Sequence, residues 1–386
     1  MFITDKPYIS HLLQSTIESN GYKVLKNEFA EAHGFNKTEL LLNEDDFIEL
    51  FKKNEKLCTN SENCIEWINK NLSFSELPKL INVFKDKVKF RDLVKHLYPN
   101  FYYRELVFNE LKSFDIKSIN MPFVVKPSIG FLSLGVYKIS NEVDWIKTLT
   151  LIDEDLLKFK SMFPKAVLNT TNYIIEEYIE GTEYAFDAYF NDVGEPVILN
   201  IMRHIFASET DTSDRLYITS QKIIEENEPV FKNFLKEIGD ILKIKNFPLH
   251  VEVRINNSKI IPIEINPMRF AGWGTTDIAY YAYGINSYEY FLENKKPDWE
   301  IISAEKEGLI YSIIVLDKPN VIPTEVIKSF DYEKLKSRFE HVLELRETDI
   351  KKYPIFGFVF TETREENFSE LDAILKSDLT EFITTF

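Results

Sequence analysis

Glu252, Glu264 and Asn266 are residues whose types and spacing suit metal chemistry. They lie in the stretch 249–270, LHVEVRINNSKIIPIEINPMRF, where two runs rich in Val and Ile flank Asn256, Asn257 and Ser258. Apolar–polar alternation around turn-forming residues predicts a β-hairpin. Successive strand side chains point to opposite faces, so His250, Glu252 and Arg254 share one face. Pro262, Glu264 and Asn266 share a face of the second strand, and Ile261, Ile263 and Ile265 face away. A three-residue loop of Asn257, Ser258 and Lys259 pairs Ile255 with Ile261 and sets Glu252 opposite Glu264. An even-length loop turns Glu252 onto the isoleucine face, so the odd register is expected. Opposed carboxylates repel by about 4 kcal/mol at ~4 Å and an effective dielectric of about 20, a pairing that sheets avoid. A hard divalent cation removes that conflict, and two carboxylates with an amide oxygen suit Mg²⁺. The bland alternative is a hairpin with one solvated polar face.

Other segments carry chemistry of a complementary kind. FKDKVKFRDLVKHLY, residues 84–98, predicts a basic amphipathic helix with Phe90, Leu93, Val94 and Leu97 on its buried stripe. Lys87 and Arg91 stand one turn apart on it; the plain alternative is a solvated basic face. In PFVVKPSIGFLSLGVYKI, residues 122–139, a strand ends at Lys126 and enters a loop bracketed by Gly130 and Gly135. Backbone N–H groups of such a loop can cradle phosphate while the lysine supplies a point charge. An ordinary hairpin with two turn glycines is the competing reading. Farther on, Glu176 and Glu183 flank a bend at Glu180-Gly181, and the strand PVILNIMR delivers Arg203 and His204. The polar run 207–220, ASETDTSDRLYITS, is expected as a mobile functional loop.

These residues need a scaffold. MFIT, a helix across 9–17 ended by Gly21, and YKVL predict a β-α-β opening, hence a small parallel α/β domain. KLCTN adds a strand and a helix follows around 63–71, with linker-like residues at Leu77 and Pro78. No G-x-G-x-x-G is present there, which argues against a dinucleotide site. A helix is expected over 225–242. From about residue 300, the runs LIYSIIV, HVLEL and FGFVF with a final helix predict a small α+β layer. The expected fold class is α/β (α+β), with domains at 1–84, 85–297 and 298–386.

Composition excludes several classes. The chain has 386 residues, 44% hydrophobic and 28% charged, ordinary for a globular protein. A formal charge of −16 argues against general nucleic-acid binding, which needs a basic surface. Cys58 and Cys64, the only cysteines, match no zinc or redox spacing. No membrane partner is expected, because no apolar run reaches spanning length. Asp5, Lys6 and Pro7 interrupt any signal-peptide pattern, and the expected location is cytoplasmic.

In the order of these motifs, the stretch from about residue 85 to 291 resembles the ATP-grasp superfamily, in its carboxylate–amine ligase branch. The resemblance implies an ATP-grasp fold preceded by an α/β domain of the kind found N-terminal to it. Lys87 in DKVKFR and Lys126 in VVKPS are similar to the family's two nucleotide lysines. Residues 128–135, with Ser128, Gly130 and Ser133, resemble its phosphate-covering loop. Glu176, Glu177 and Ile179 in EEYIEG resemble the adenine-contacting hinge, the last two through backbone groups, and Glu183 the ribose-binding acid. Glu252, Glu264 and Asn266 resemble the magnesium ligands. Two departures stand out: Met268 separates Asn-Pro from Arg269, and His250 sits where peptide-type ligases have an arginine.

The resemblance implies ATP and Mg²⁺ as cofactors, with Mn²⁺ as a substitute, and small-molecule carboxylate and amine substrates. A carboxylate attacks the γ-phosphate, and an amine then displaces phosphate from the acyl phosphate. Arg269, Arg203 and Arg254 are the candidate cations for the substrate carboxylate and the developing oxyanion. The alternatives are a phosphotransferase that stops at a phosphorylated product and a non-catalytic nucleotide-binding regulator.

Overall fold

The computed structural model describes residues 1–35, 39–130, 135–159, 172–208, 211, 213–319 and 321–386. Its contacts divide the chain into two compact units, Met1–Gly181 with Ile238–Gly274, and Thr182–Glu237 with Thr275–Phe386.

The first unit opens as the β-α-β pattern requires. Ser10 caps the helix His11–Asn20 by accepting from Leu13 N, and Gly21, at φ 67°, ends it. Leu13, Thr16 and Ile17 form the buried face of that helix. Phe2–Ile3 runs parallel to Val24–Leu25 and to Cys58–Thr59, with Leu41–Leu42 at the far edge of the sheet. The helix after the fourth strand is Ile65–Asn71, preceded by a 3₁₀ turn, Glu62–Cys64.

The single basic helix expected over 84–98 is instead two helices, Leu77–Lys85 and Lys87–Val94. Asp86 breaks them: with ψ at 105° it leaves the helical region and accepts from Val88 N and Lys89 N as an N-cap. Leu77 and Pro78 are the first turn of the earlier helix rather than a linker, in the place where proline's missing N–H costs nothing. Phe90 and Val94 are buried as the stripe requires, and Lys87 and Arg91 are buried with them.

An antiparallel sheet follows in the order Tyr103–Val107, Asn172–Glu177, Phe123–Pro127, Tyr137–Ile139. Leu106, Phe123, Val125, Ile139 and Ile175 form its core with Trp145 of the helix Glu142–Phe159. The last piece of the first unit is the hairpin Phe247–Asn256 and Lys259–Pro267, whose Phe247 meets Phe84 at a ring separation of 5.8 Å.

The second unit is an antiparallel sheet in the order Thr182–Phe190, Pro196–Ile205, Leu216–Ser220, Leu309–Asp317, Ile355–Arg364, His341–Glu347. The C-terminal strands were expected as a layer of their own; Leu216↔Ile314 pairing joins them to the strands before residue 220. That pairing also corrects the loop expected over 207–220, because Leu216–Ser220 is an inner strand with Leu216 and Thr219 fully buried. Leu216, Tyr217 and Ile218 are hard to read as a strand because a polar run precedes them. Residues 209, 210 and 212 of that run lie outside the described residues. The helix expected over 225–242 spans Gln221–Leu242, and its Phe231 stacks on Phe186 at 4.6 Å. Among the described residues, no helix is long and apolar enough to cross a membrane.

Candidate active site

The hairpin does set Glu252 opposite Glu264, by a different route from the expected one. Asn257 and Ser258, at φ 50° and 64°, make a two-residue turn, and Asn256 pairs with Lys259. Positive φ at both central residues is the turn whose twist matches the flanking strands. The even loop would have put the acids on opposite faces, but the register skips Ile263, with Val253↔Pro262 followed by Glu252↔Glu264. This β-bulge absorbs the mismatch beside the acids.

A lysine sits against one acid of the pair. Lys87 starts its helix directly after the Asp86 cap, and its backbone N donates to Ser128 O at 2.8 Å. Its Nζ is 2.9 Å from Glu264 Oε2, and Asn266 Nδ2 donates to Glu264 Oε1 at 3.0 Å. Burial opposes charge on Glu264, yet Lys87 overrides it and holds the carboxyl well below the usual range. Burial likewise opposes the Lys87 ammonium, and Glu264 raises it. The ion pair is therefore the resting state. His250 Nε2 lies 3.8 Å from Glu252 Oε1, on the same strand face. Among the described residues there is no cluster of three or more His, Cys, Asp or Glu side chains arranged for a metal. The set here is two carboxylates and an amide with one ammonium against Glu264, so one negative charge is left over and the donor chemistry fits a hard cation.

Glu176 is the hub of a second group. Its Oε2 accepts from Arg91 Nε at 2.8 Å and its Oε1 pairs with Lys126 Nζ at 2.6 Å. All three are buried. Burial pushes the Glu176 carboxyl up, but Arg91 and then Lys126 bring it down to about 2. Burial also pulls the Lys126 ammonium below its ordinary value, against Glu176. Two cations on one acid leave a net positive charge, which suits an anionic ligand. Arg91 Nη1 further donates to Pro262 O at 2.7 Å, tying this group to the hairpin, and the guanidinium stacks 4.5 Å over Phe101. Ser128, next to the Lys126 strand, is buried and donates its N–H to Asn172 O. Gly130 O accepts from Lys87 Nζ at 3.4 Å and from Lys85 Nζ at 3.3 Å. Ser133 falls in 131–134, outside the described residues.

The bend after Glu176 is fixed from the hairpin side. Glu177 N donates to Tyr102 O, and burial raises the Glu177 carboxyl. Tyr178 lies between Lys138 at 4.1 Å and Arg254 at 5.1 Å, and Arg254 Nη1 donates to Ile179 O at 2.6 Å. Arg254 thus serves the bend, at the turn end of the hairpin from Glu252. Gly181 has φ 114°, and a Cβ there would meet Ile255 O at 2.2 Å, so only glycine fits. In the second unit, Glu183 pairs with His204 Nδ1 at 2.9 Å, and His204 Nε2 contacts Ser213 O at 3.0 Å. Arg203 lies between Tyr184 and Ile218 in register, and its buried Nε has no hydrogen-bond partner among the described residues.

Arg269 follows Met268, which is fully buried at φ 66°. Its guanidinium donates twice to Glu62 Oε1, from Nη2 at 2.6 Å and Nε at 3.2 Å. Glu62 Oε2 in turn accepts from Lys85 Nζ. Glu62, Lys85 and Arg91 are the functional candidates that the sequence reading left out of its site. Arg91 carried a signal, its one-turn spacing from Lys87; Glu62 sits in a polar SENC run that reads as surface.

With this geometry in hand, the comparisons are consistent. Residues 119–277 match the family model of the ATP-grasp domain, and the fold around them is mixed α/β. No curated protein matches the sequence. Among solved structures, an L-amino acid ligase from Bacillus licheniformis is similar at TM-score 0.65 and 14% identity, covering 100% of this chain and 97% of that one. An N5-carboxyaminoimidazole ribonucleotide synthetase from Thermotoga maritima is similar at 0.63 and 14%, covering 99% and 98%. The biotin carboxylase domain of a Hydrogenobacter thermophilus 2-oxoglutarate carboxylase, solved with MgADP and bicarbonate, gives 0.64 and 11%, covering 100% and 90%. At these identities the likeness is one of fold, and the fold is that of ATP-grasp.

Proposed function

We propose that this protein is an ATP-dependent carboxylate–amine ligase that works through an acyl phosphate. The observation that carries the reading is Glu252 opposed to Glu264 with the Lys87 ammonium against the pair, in the same unit as the buried Arg91–Glu176–Lys126 group. In this reading Glu176 orients Lys126 toward nucleotide phosphate, and the 177–179 backbone meets adenine. Glu183 is the proposed ribose partner. Ser128, Gly130 and Ser133 belong to the phosphate-covering loop. Glu252, Glu264 and Asn266 would hold Mg²⁺, which when bound supplies Lewis-acid stabilisation of phosphate oxygens. Lys87 is drawn from Glu264 toward phosphate as the nucleotide arrives. Arg269 and Arg203 are the cations for the substrate carboxylate and the tetrahedral oxyanion. Residues 85–297 carry the nucleotide chemistry, 1–84 contribute Glu62, and 298–386 complete the second sheet. Cys58 and Cys64 are buried thiols that donate to Thr59 O and Ile3 O, and the proposed location is the cytoplasm.

The test is a screen of amino acids and small carboxylic acids, alone and in pairs, with MgATP. Ligation requires ADP and free phosphate to appear together with an amide. ADP with a stable phosphorylated product would replace the ligase by a phosphotransferase, and no stimulated release with any pair would leave the regulator reading.

A further inference from the structure

Met268 holds a left-handed backbone that costs a non-glycine residue free energy unless its surroundings enforce it. They do. Met268 N donates to Pro248 O at 2.9 Å, and Met268 O accepts from Thr59 N at 2.8 Å and Thr59 Oγ1 at 3.2 Å. The segment that grips the turn, Cys58–Thr59 and the 3₁₀ turn Glu62–Cys64, also supplies the acid that grips the next residue. Glu62 is 5% exposed, and its two oxygens are divided between Arg269 and Lys85. Arg269 Nη1 is anchored as well, to Phe270 O at 2.9 Å. Lys85 Nζ shares the Gly130 carbonyl with Lys87 Nζ, which is the ion-pair partner of Glu264. A continuous line of polar contacts therefore runs Arg269–Glu62–Lys85–Gly130–Lys87–Glu264.

The charge count along that line matters. At the Glu62 end two cations share one acid, although a neutral buried pair would serve stability better than an excess cation. The surplus at that end is positive, and the Gly130 carbonyl joins it to Lys87 beside the hairpin acids, where a phosphate would balance it. We propose that Glu62 is a positioning residue that fixes Arg269 and Lys85 as a pair of cations for the terminal phosphate of the nucleotide, the group that the substrate carboxylate held by Arg269 attacks. The proposal rests on the nucleotide-binding reading above. It also gives the Met268 turn a purpose, since the turn sets Arg269 within reach of Glu62.

The test uses the full chain and no second substrate: calorimetric affinity for MgADP and for Mg-bound β,γ-imido-ATP in wild type and Glu62→Gln. The glutamine keeps shape and a hydrogen bond to Arg269 but releases the charge that orients both cations. The expected result is MgADP affinity within about threefold of wild type and a loss of about tenfold or more for the imido analogue, the worth of one misplaced charge-assisted bond. Equal losses for both nucleotides would reduce Glu62 to a structural role and overturn the proposal, as would an unchanged preference for the analogue. Wild type that binds neither nucleotide would remove the nucleotide reading itself. If Glu62→Gln does not fold, Glu62→Asp keeps the charge but shortens its reach to both cations, and it carries the same expectation.

Discussion

Glu264→Gln asks whether charge, rather than solvent, holds the opposed acids of the hairpin. Lys87 Nζ is 2.9 Å from Glu264 Oε2, with side-chain exposures of 9% and 17%. At an effective dielectric of about 20, that separation corresponds to a gross attraction of about 6 kcal/mol. Desolvation of two nearly buried charges offsets much of it. The variant leaves the Lys87 ammonium without its partner and beside Lys85, so a net destabilisation of about 3 kcal/mol is expected. Lys87→Met is destabilising for the mirror reason, because it leaves Glu252 and Glu264 opposed without an ammonium. The double variant removes both defects, and the cycle should give a coupling of about 2 kcal/mol. The measurement is urea unfolding of the four proteins without nucleotide or divalent ions. A neutral Glu264→Gln, or additive effects with coupling below about 0.5 kcal/mol, would show that this face is solvated and would refute the reasoning.

With the substrate found in the screen, Glu264→Gln should lower ATP turnover by about a hundredfold or more, the share of transition-state stabilisation expected of a metal; unchanged turnover would sink the assignment. Lys87→Met should raise affinity for Mn²⁺ without nucleotide by about tenfold or more, read from the free-ion electron paramagnetic resonance signal, since one ammonium leaves the site; no gain would show that Lys87 does not hold a cation's place. Glu176 has a folded pKa of about 2 against an ordinary 4.5, so it stabilises the fold by about 3 kcal/mol at neutral pH. That contribution is lost as pH falls from about 4.5 toward 2, and Glu176→Gln should flatten the acid limb of stability over that window; an identical limb would count against the network. Gly181→Ala should cost about 2 kcal/mol or more through its φ of 114° and its approach to Ile255 O; an unchanged melting temperature would contradict the close contact.

Elements with strong local signals were legible. Ser10 and Gly21 bracketed a helix, and alternating Val and Ile marked both strands of the hairpin. The Glu252–Glu264 pairing followed from those strands, because the apolar face leaves few registers. Its turn was misread since sequence alternation does not reveal that Ile263 is skipped. Asp86 was equally opaque: within FKDKVKF a capping aspartate and a mid-helix aspartate have the same letters, and the choice is made by Ser128 O taking Lys87 N–H. The strand Leu216–Ser220 gained its identity from partners on both sides, which are far away in the chain. Glu62 is the plainest case. Its burial depends on Lys85 and on Arg269, 207 residues later, and no local pattern encodes a partner at that separation.

The bulge at Ile263 has a consequence for how the hairpin deforms. Shifting it from Ile263 to the tip, with Lys259 drawn into the turn, re-pairs residues 253–256 by one step while Glu252 stays opposite Glu264. Such a shift would leave the acids in place, because the inner pairs from Leu249 to Glu252 lie on the other side of the skipped residue. The observed register is held from outside the hairpin: Arg91, already bound to Glu176, donates to Pro262 O just beyond the skipped residue. The same guanidinium that pairs with the buried glutamate also bonds the hairpin beside the skipped residue, so one side chain ties the Glu176 group to the bulge.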